Sequence, residues 1–234
     1  MTTLVVAAAV FMALHLIVSG TGVRDSIVGI TGENAYLGLF SLASVVTIVW
    51  LAISYNKAQR GSDVLLIDAG TGFRHLGIPL VLLAFLIGVP GLLSPNPTSV
   101  RQEAAAQKSE TVRGILRVTR HPFLWGVALW SAFHLIANGD EASVVLFGTF
   151  LVVAVLGTFS IDAKRRRKMG EAWSTFAAKT SNVPFAAIAT RRTSFSAREY
   201  FDWRFLAAIV IFVGILLLHA RLFGVSPLPP GMAV

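Results

Sequence analysis

Long apolar stretches alternate with short polar ones along the whole chain. Six of the apolar stretches are roughly 17 to 25 residues long, the length that an α-helix needs to cross a hydrocarbon layer. We therefore predict an all-α, polytopic membrane helix bundle with about six transmembrane helices, and we expect residues 1–234 to form one domain. The predicted spans are residues 2–22, 35–55, 75–93, 122–138, 142–161 and 205–219.

Local signals refine the ends of these spans. The first stretch lacks the basic front and the small-residue cleavage pattern of a signal peptide, so we expect it to remain as a helix. Pro90 and Gly91 predict an interruption near the end of the third span. Outside the spans, residues 103–108 predict a short surface helix, and residues 170–185 predict an interfacial helix that ends at Pro184.

Composition supports a membrane protein and excludes several alternatives. Hydrophobic residues make up 55% of the chain and charged residues only 14%, against about 25% charged in soluble domains. The net charge of +8 does not indicate a nucleic-acid partner, because the basic residues lie in loops between apolar spans. The absence of cysteine excludes disulfides, thiolate metal ligands and covalently attached c-type haem.

Lysine and arginine are distributed unevenly between the predicted loops. One side of the bilayer receives sixteen of the 20 basic residues: Arg24, five between residues 101 and 120, and ten between residues 164 and 204. Because basic loops stay in the cytoplasm, both termini are predicted to face outward. The basic run of residues 164–168 is expected to lie in a loop against anionic head groups.

Histidines are the candidate functional residues of the chain. The five are His15, His75, His121, His134 and His219. Ionisable side chains at membrane depth are costly and usually functional. The predicted topology brings His75, His134 and His219 to a similar depth near the outer side. His15 lies at mid-depth or deeper, and His121 lies at an inner helix entrance where we expect it to be solvated.

Imidazole chemistry suggests a metal or haem site. Neutral imidazole binds iron, copper or zinc, and haem in helix bundles is commonly held by histidine. Aromatic residues one turn before His15 and His134 would suit a flat cofactor, although they suit ordinary helix packing equally well. Arg74 and Arg221 flank the same outer end, where they would pair haem propionates or anchor their helices in the interface.

The segment of residues 114–140, GILRVTRHPFLWGVALWSAFHLIANGD, resembles the NnrU family of bacterial membrane proteins. The resemblance continues through residues 146–170 and the TSNVPF of residues 180–185, and it covers nearly the whole chain. NnrU proteins are linked to nitrite and nitric oxide respiration, or denitrification. Membership implies a bacterial inner (cytoplasmic) membrane location, where the orientation predicted from the basic residues places both termini in the periplasm. It is also compatible with a respiratory-complex partner.

NnrU proteins are similar to the 15-cis-zeta-carotene isomerases of plants and cyanobacteria, which are integral membrane enzymes that use haem b with histidine ligands. This resemblance implies a haem b protein and a redox-dependent cis-trans isomerase for a hydrophobic small molecule. It implies His15 and His134 as the leading iron ligands and His75 as a third functional histidine. His219 and Arg74 are cofactor-binding candidates from the predicted topology.

One geometric difficulty accompanies the pairing of His15 with His134. In the predicted spans their depths differ by about 12 Å at 1.5 Å per residue, which is too far for two ligands of one iron. The gap closes if the first helix continues through residues 20–24 or if the helices tilt. Otherwise His75 or His219 is the better partner of His134.

A more distant resemblance is to the isoprenylcysteine carboxyl methyltransferases. Residues 120–122 are similar to their Arg-His-Pro motif, and residues 170–173 with Pro184 are similar to a later Gly-Glu-aromatic helix. In those enzymes this region binds S-adenosylmethionine. Here the acidic pair that precedes the helix is reduced to Asp162. A non-catalytic membrane assembly factor is the third alternative.

Overall fold

The computed structural model describes residues 1–61, 64–107 and 112–228 of the chain. Within these ranges every regular element is helical, and the one strand-like pairing is an isolated bridge between Leu65 and Asp140. The α-helices are α1 (Thr2–Met12), α2 (Val23–Thr31), α3 (Glu33–Gln59), α4 (Gly70–Arg74), α5 (Gly77–Leu93), α6 (Ile115–Val118), α7 (Pro122–Asn138), α8 (Glu141–Met169), α9 (Glu171–Lys179), α10 (Ala186–Ala189), α11 (Ala197–Tyr200) and α12 (Trp203–Phe223). A π-helical segment, Ala13–Val18, continues α1, and a 3-10 helix covers Glu103–Gln107.

The predicted all-α membrane fold is confirmed. In the described ranges, four helices are long and apolar enough to cross a membrane: Glu33–Gln59, Gly70–Leu93, Glu141–Met169 and Trp203–Phe223. A fifth candidate is the bent pair Thr2–Val18 and Val23–Thr31, whose axes differ by 78°. α7 begins and ends where the sequence predicts, but it has only 17 residues. The count of six spans therefore stays a prediction.

The predicted interruption of the third span at Pro90 is wrong, because α5 continues to Leu93. Proline has no N–H, so it leaves the carbonyl four residues earlier without its helical partner. In α5 that carbonyl belongs to Leu86, and the Tyr200 hydroxyl donates to it at 3.0 Å. A side chain distant in sequence thus replaces the missing bond and keeps the helix intact.

The placement of the basic run in a loop is also wrong. α8 continues past Ile161 to Met169 and carries residues 164–168 as helix. Arg165 is only 7% exposed, pairs with Glu103 and donates to the Ser99 carbonyl at 2.7 Å, so it does not lie against head groups. The interior therefore accepts one member of the run, which local sequence could not distinguish from its neighbours.

The predictions of two short helices are confirmed only in part. The helix predicted for residues 103–108 is the 3-10 helix Glu103–Gln107, and Lys108 lies outside the described residues. The helix predicted to reach Pro184 ends at Lys179, because Thr180 is extended and the following residues bond to another segment. There Arg120 donates its backbone N–H to the Ser181 carbonyl at 2.9 Å.

The chain divides into two compact units. The first consists of Met1–Gly70 and Ser131–Ser160. Within it α1 packs along α3, and small or apolar side chains such as Leu4, Ala7 and Leu51 are fully buried. Gly139, with φ of +69°, makes the short turn between α7 and α8.

The second unit consists of the described parts of Thr71–Trp130 and Ile161–Val234. α5 packs against α12, with the rings of Phe85 and Phe212 5.7 Å apart. α5 also crosses the first turns of α7 at very close range. A Cβ on Gly126 would lie 2.7 Å from the Gly88 Cα, so this crossing requires glycine, as is common where membrane helices pack closely.

Candidate functional site: two histidines among aromatic rings

His15 lies on the π-helical segment that continues α1. Its Nδ1–H donates to the Phe11 carbonyl at 2.9 Å, since a carbonyl can only accept. The Ser19 N–H bonds to the Leu14 carbonyl, five residues earlier, which is the π-helical pattern. π-Helical turns of this kind occur frequently at functional sites. The bond to Phe11 fixes the tautomer, so Nε2 carries the lone pair.

Aromatic rings surround the His15 imidazole. Its centroid lies 4.2 Å from that of Phe11 and 5.5 Å from that of Phe40. Phe40 in turn stacks on the buried ring of Tyr36 at 5.8 Å. Phe11 also meets Phe150 of α8 edge-on at 5.5 Å. His15 is therefore held in an apolar, ring-lined environment within the first unit.

The chain bends sharply just after His15. The Ser160 hydroxyl donates to the Gly20 carbonyl at 3.1 Å, and the next helix begins only at Val23. The condition that the first helix continues through residues 20–24 is therefore not met. The bend places Arg24 against Glu33 at 2.5 Å and above the Tyr36 ring at 5.3 Å.

His134 lies on α7 in the same unit and is also packed among rings. It stacks on Phe147 of α8 at 5.0 Å with an interplanar angle of 29°, and it meets Phe133 edge-on at 5.4 Å. The ring of Phe147 meets that of Tyr55 edge-on, with 6.2 Å between the ring centroids. The Tyr55 hydroxyl belongs to a polar network with Ser143, at 3.0 Å, that fastens the α7–α8 turn to the end of α3.

The contacts with α8 give the difference in depth between the two histidines. Phe11 lies opposite Phe150, and Gly20 lies opposite Ser160, so His15 lies opposite about residue 154. His134 lies opposite Phe147. Seven residues at 1.5 Å each give about 10 Å between the two levels along α8.

Side-chain direction reduces this separation. Helical side chains lean toward the N-terminus of their own helix. α1 runs parallel to α8, because its contact points advance with those on α8, so His15 leans toward the level of Phe150. The level of His134 comes from its ring-to-ring contact with Phe147 and already includes the direction of its side chain, so the separation is reduced only on the His15 side.

The other sequence-predicted residues belong to the second unit. His219 is bonded within its own end of α12: its Nδ1–H donates to the Val225 carbonyl, just beyond the helix, at 2.9 Å. Its ring packs on Phe223 at 4.8 Å. His75 is exposed in the turn between α4 and α5, and Arg74 is exposed at the end of α4. Arg221 is exposed in the last turn of α12.

His121 is not solvated, contrary to the sequence-based expectation. It is 2% exposed, and its Nε2 lies 2.6 Å from Asp162. Arg120 donates to both oxygens of the same carboxylate from Nε, at 2.9 and 3.1 Å, and its guanidinium lies over the Trp173 ring at 5.6 Å. Burial lowers the pKa of His121 and outweighs the opposing effect of Asp162.

This buried cluster leaves two polar atoms unpaired. His121 Nδ1 and Asn182 Oδ1 are buried and have no hydrogen-bond partner among the described residues. Asn182 itself donates to Asp162 at 3.3 Å. The cluster joins residues more than forty positions apart, so no local sequence signal could have predicted it beyond the Arg-His-Pro motif itself.

In the described ranges, no group of three or more His, Cys, Asp or Glu side chains could hold a metal ion. A haem iron differs in needing only one or two protein ligands, because the porphyrin supplies the other four. The aromatic neighbours Phe40 and Phe147 were not predicted as site residues. Phe40 lies four residues after Tyr36, a spacing that places both rings on one helical face.

Two relatives of this chain are carotene isomerases by name. The chain is similar to the protein named "15-cis-zeta-carotene isomerase, chloroplastic" from Zea mays, at 26% identity over 221 residues. It is similar to the protein of the same name from Arabidopsis thaliana, at 23% identity over 210 residues. These matches cover 90% and 87% of this chain but only 57% and 56% of the relatives. The chain thus spans little more than half the length of these relatives. No solved structure matches it.

The family comparison covers almost the entire chain. Residues 3–227 match the family described as NnrU protein. This range includes both ring-lined histidines, the buried Asp162 cluster and the four long apolar helices of the described residues. The chain belongs to the NnrU protein family.

Proposed function

We propose that this protein is a haem b-binding membrane isomerase that acts on the double bonds of a hydrophobic polyene, with His15 and His134 as the iron ligands. The names of its relatives supply the reaction class and the type of substrate. The observation that carries the proposal is the hydrogen bond from His15 Nδ1 to the Phe11 carbonyl. Metal-binding histidines commonly donate their second ring N–H in this way.

The donor set fits haem. With Nδ1 protonated, Nε2 of His15 offers its lone pair from a rigid ring held by Phe11 and Phe40. His134, in the same unit, is oriented by its stacking on Phe147 of α8. Aromatic and aliphatic neighbours suit the flat, apolar faces of a porphyrin.

The chain's own residues would control access and orientation. The π-helical turn holds His15 away from the regular register of α1, and the Ser160 bond to the Gly20 carbonyl fixes the end of that turn. The apolar rings keep water from the site and provide surfaces for a conjugated hydrocarbon. When bound, the haem iron would supply a Lewis-acidic centre that lowers the barrier to rotation about a double bond.

The Arg-His-Pro segment supports a structural role here. A methyltransferase would need these polar groups to be available to S-adenosylmethionine. Instead, Arg120 and His121 both bind Asp162, and the side chains of Arg120 and Asp162 are each only 12% exposed. We therefore do not propose methyl transfer. A role in nitrite or nitric oxide metabolism, a respiratory partner and a non-catalytic assembly role stay predictions of the family resemblance.

The proposal is tested by the absorption spectrum of the full chain, purified in detergent after expression with a haem precursor. We expect a Soret band that corresponds to about one haem per chain. His15→Ala and His134→Ala should each shift or abolish the band while the protein still elutes as a folded species. A protein that takes up no haem under these conditions would exclude the proposal.

His219→Ala is the matched control, because His219 bonds within its own helix end. It should leave the spectrum unchanged. If His219→Ala or His75→Ala removes the band and His15→Ala does not, the iron has other ligands. Conversion of a cis-polyene by the reduced wild-type protein but not by the two ligand variants would then test the isomerase assignment separately.

A further inference from the structure

An open groove lies in the second unit at the ends of two helices that are long enough to cross a membrane. Its volume is about 930 Å³. The last residues of α5, Leu92 and Leu93, form one side, and Tyr200, Asp202 and Arg204 before and at the start of α12 form another. Because both helices change from apolar span to polar chain here, the groove lies where hydrocarbon meets head groups.

One wall of the groove is apolar and accessible. Leu92 is 61% exposed and Leu93 is 39% exposed. The buried side chains of Ile115 and Leu116 line the interior. Trp203, next to the groove, is 58% exposed, as expected for an aromatic residue at a membrane interface. Such a wall suits hydrocarbon chains that enter from the bilayer.

The opposite side of the groove is polar, and its acidic groups are already neutralised. Glu199 forms a two-pronged pair with Arg117, at 2.7 and 2.9 Å, and accepts the Gly114 N–H at 2.9 Å. Asp202 pairs with Arg204 and accepts its backbone N–H at 2.8 Å. With Arg117 counted behind the lining, three arginines among the described residues (Arg113, Arg117 and Arg204) face two carboxylates, which leaves one net positive charge. Arg113 is the arginine of the lining that forms neither of these two pairs, and it is exposed.

We infer that this groove binds an anionic glycerophospholipid, with its phosphate at Arg113 and its acyl chains along Leu92 and Leu93. Arginine is well suited to phosphate oxygens, and a cation at the interface attracts acidic lipid. An uncharged polyene would gain nothing from Arg113, so the groove is distinct from the proposed isomerase site. The inference does not depend on haem binding or on isomerase activity.

The test uses the full chain in nanodiscs of phosphatidylcholine that contain a small fraction of phosphatidylglycerol with brominated acyl chains. Bromine quenches nearby tryptophan, and the difference between wild type and Trp203→Phe isolates the signal of Trp203. We expect saturable quenching by brominated phosphatidylglycerol at fractions where brominated phosphatidylcholine has little effect.

Two variants probe the two sides of the groove. Arg113→Gln should raise about fivefold the fraction of brominated phosphatidylglycerol at which quenching is half-maximal, because one interfacial cation contributes about 1 kcal/mol. Ala104→Phe places a ring into the groove from an exposed lining position and should reduce the maximum quenching without disturbing the core. Arg221→Gln, at the other end of α12, is the matched control and should leave the midpoint unchanged.

Three outcomes would overturn the inference. Equal quenching by the two brominated lipids would mean ordinary surrounding lipid. An unchanged midpoint in Arg113→Gln would remove the head-group contact. Complete displacement by millimolar inorganic phosphate would show that the apolar wall contributes nothing and that the ligand is a free anion.

Discussion

At the scale of single residues, Asp162 organises the best-defined polar cluster of the second unit. It accepts hydrogen bonds from Arg120, His121 and Asn182, and it lies on α8 just beyond the apolar part of that helix. Its side chain is 12% exposed, so the charges of Arg120 and Asp162 compensate each other with little help from water. The Arg-His-Pro motif is thus used to fix the first turn of α7.

Asp162→Asn should destabilise the protein strongly. Removing one partner of a buried ion pair leaves an uncompensated charge, which costs about 3–5 kcal/mol. Thermal unfolding in detergent, followed by circular dichroism, measures the change. Asp25→Asn is the control, because Asp25 is 68% exposed in its pair with Arg24, and it should cost at most about 1 kcal/mol. Equal effects of the two variants would contradict the role given to Asp162.

The pair of Glu199 with Arg117 predicts how the stability of the protein depends on pH. The hydrogen bonds from Arg117 lower the pKa of Glu199 from 4.5 to about 2. A carboxylate whose pKa is depressed in the folded state stabilises the fold above its unfolded pKa and loses that effect as the pH falls through the folded value. The stability difference between wild type and Glu199→Gln should therefore be full above pH 4.5 and shrink toward pH 2. A difference that is constant over pH 2–6 would contradict this.

At the scale of helices, the bend after the π-helical segment is the element on which the His15 site depends. A Cβ on Gly20 would clash with the Leu16 carbonyl and lie 3.0 Å from the Ser160 hydroxyl. The bend therefore needs glycine at this position, while Gly22, two residues later, has open space around its Cα. The two glycines look alike in the sequence but differ in the structure.

Gly20→Ala should lower the free energy of unfolding by about 1–3 kcal/mol, the usual cost of overpacking. Gly22→Ala should have little effect, because the helical φ of −63° at Gly22 accepts alanine. Chemical denaturation of both variants in the same detergent gives the comparison. If both variants behave alike, the close contact of Gly20 with α8 is not important for stability.

The sequence predicted the helices well and their ends less well, and the reasons are physical. The long apolar runs of the sequence locate α3, α5, α7, α8 and α12, because membrane spans need such runs. The bend after the π-helical segment and the continuation of α5 through Pro90 were missed, because each involves a distant partner, Ser160 in one case and Tyr200 in the other. His15 was selected by family resemblance, whereas its hydrogen bond to Phe11 is visible only in the structure.

At the scale of the whole molecule, hydrogen bonds within each unit connect the ends of α5 and α7. The Leu66 N–H, before α5, bonds to the Gly139 carbonyl, after α7, at 2.8 Å. Asn96, after α5, donates to the Arg120 carbonyl, before α7, at 3.1 Å. That α7 crosses the bilayer stays a prediction, because the helix has only 17 residues.

The predicted topology can be tested with single cysteines, because the chain has none. Leu66→Cys and Ser226→Cys should react with an impermeant maleimide on intact cells, and Gln102→Cys should react only after lysis. All three positions are exposed in the structure. Labelling of Gln102→Cys on intact cells would contradict the predicted orientation, in which the basic loops face the cytoplasm.

The most direct test of the central claim is the electron paramagnetic resonance spectrum of the ferric, haem-loaded protein. The claim is that His15 on the π-helical segment and His134 on α7, which belong to the same unit, hold one iron between them. Wild type should then show a low-spin signal typical of two histidine ligands, and both His15→Ala and His134→Ala should convert it to high spin. A high-spin wild type, or a low-spin signal that survives the loss of either histidine, would contradict the claim.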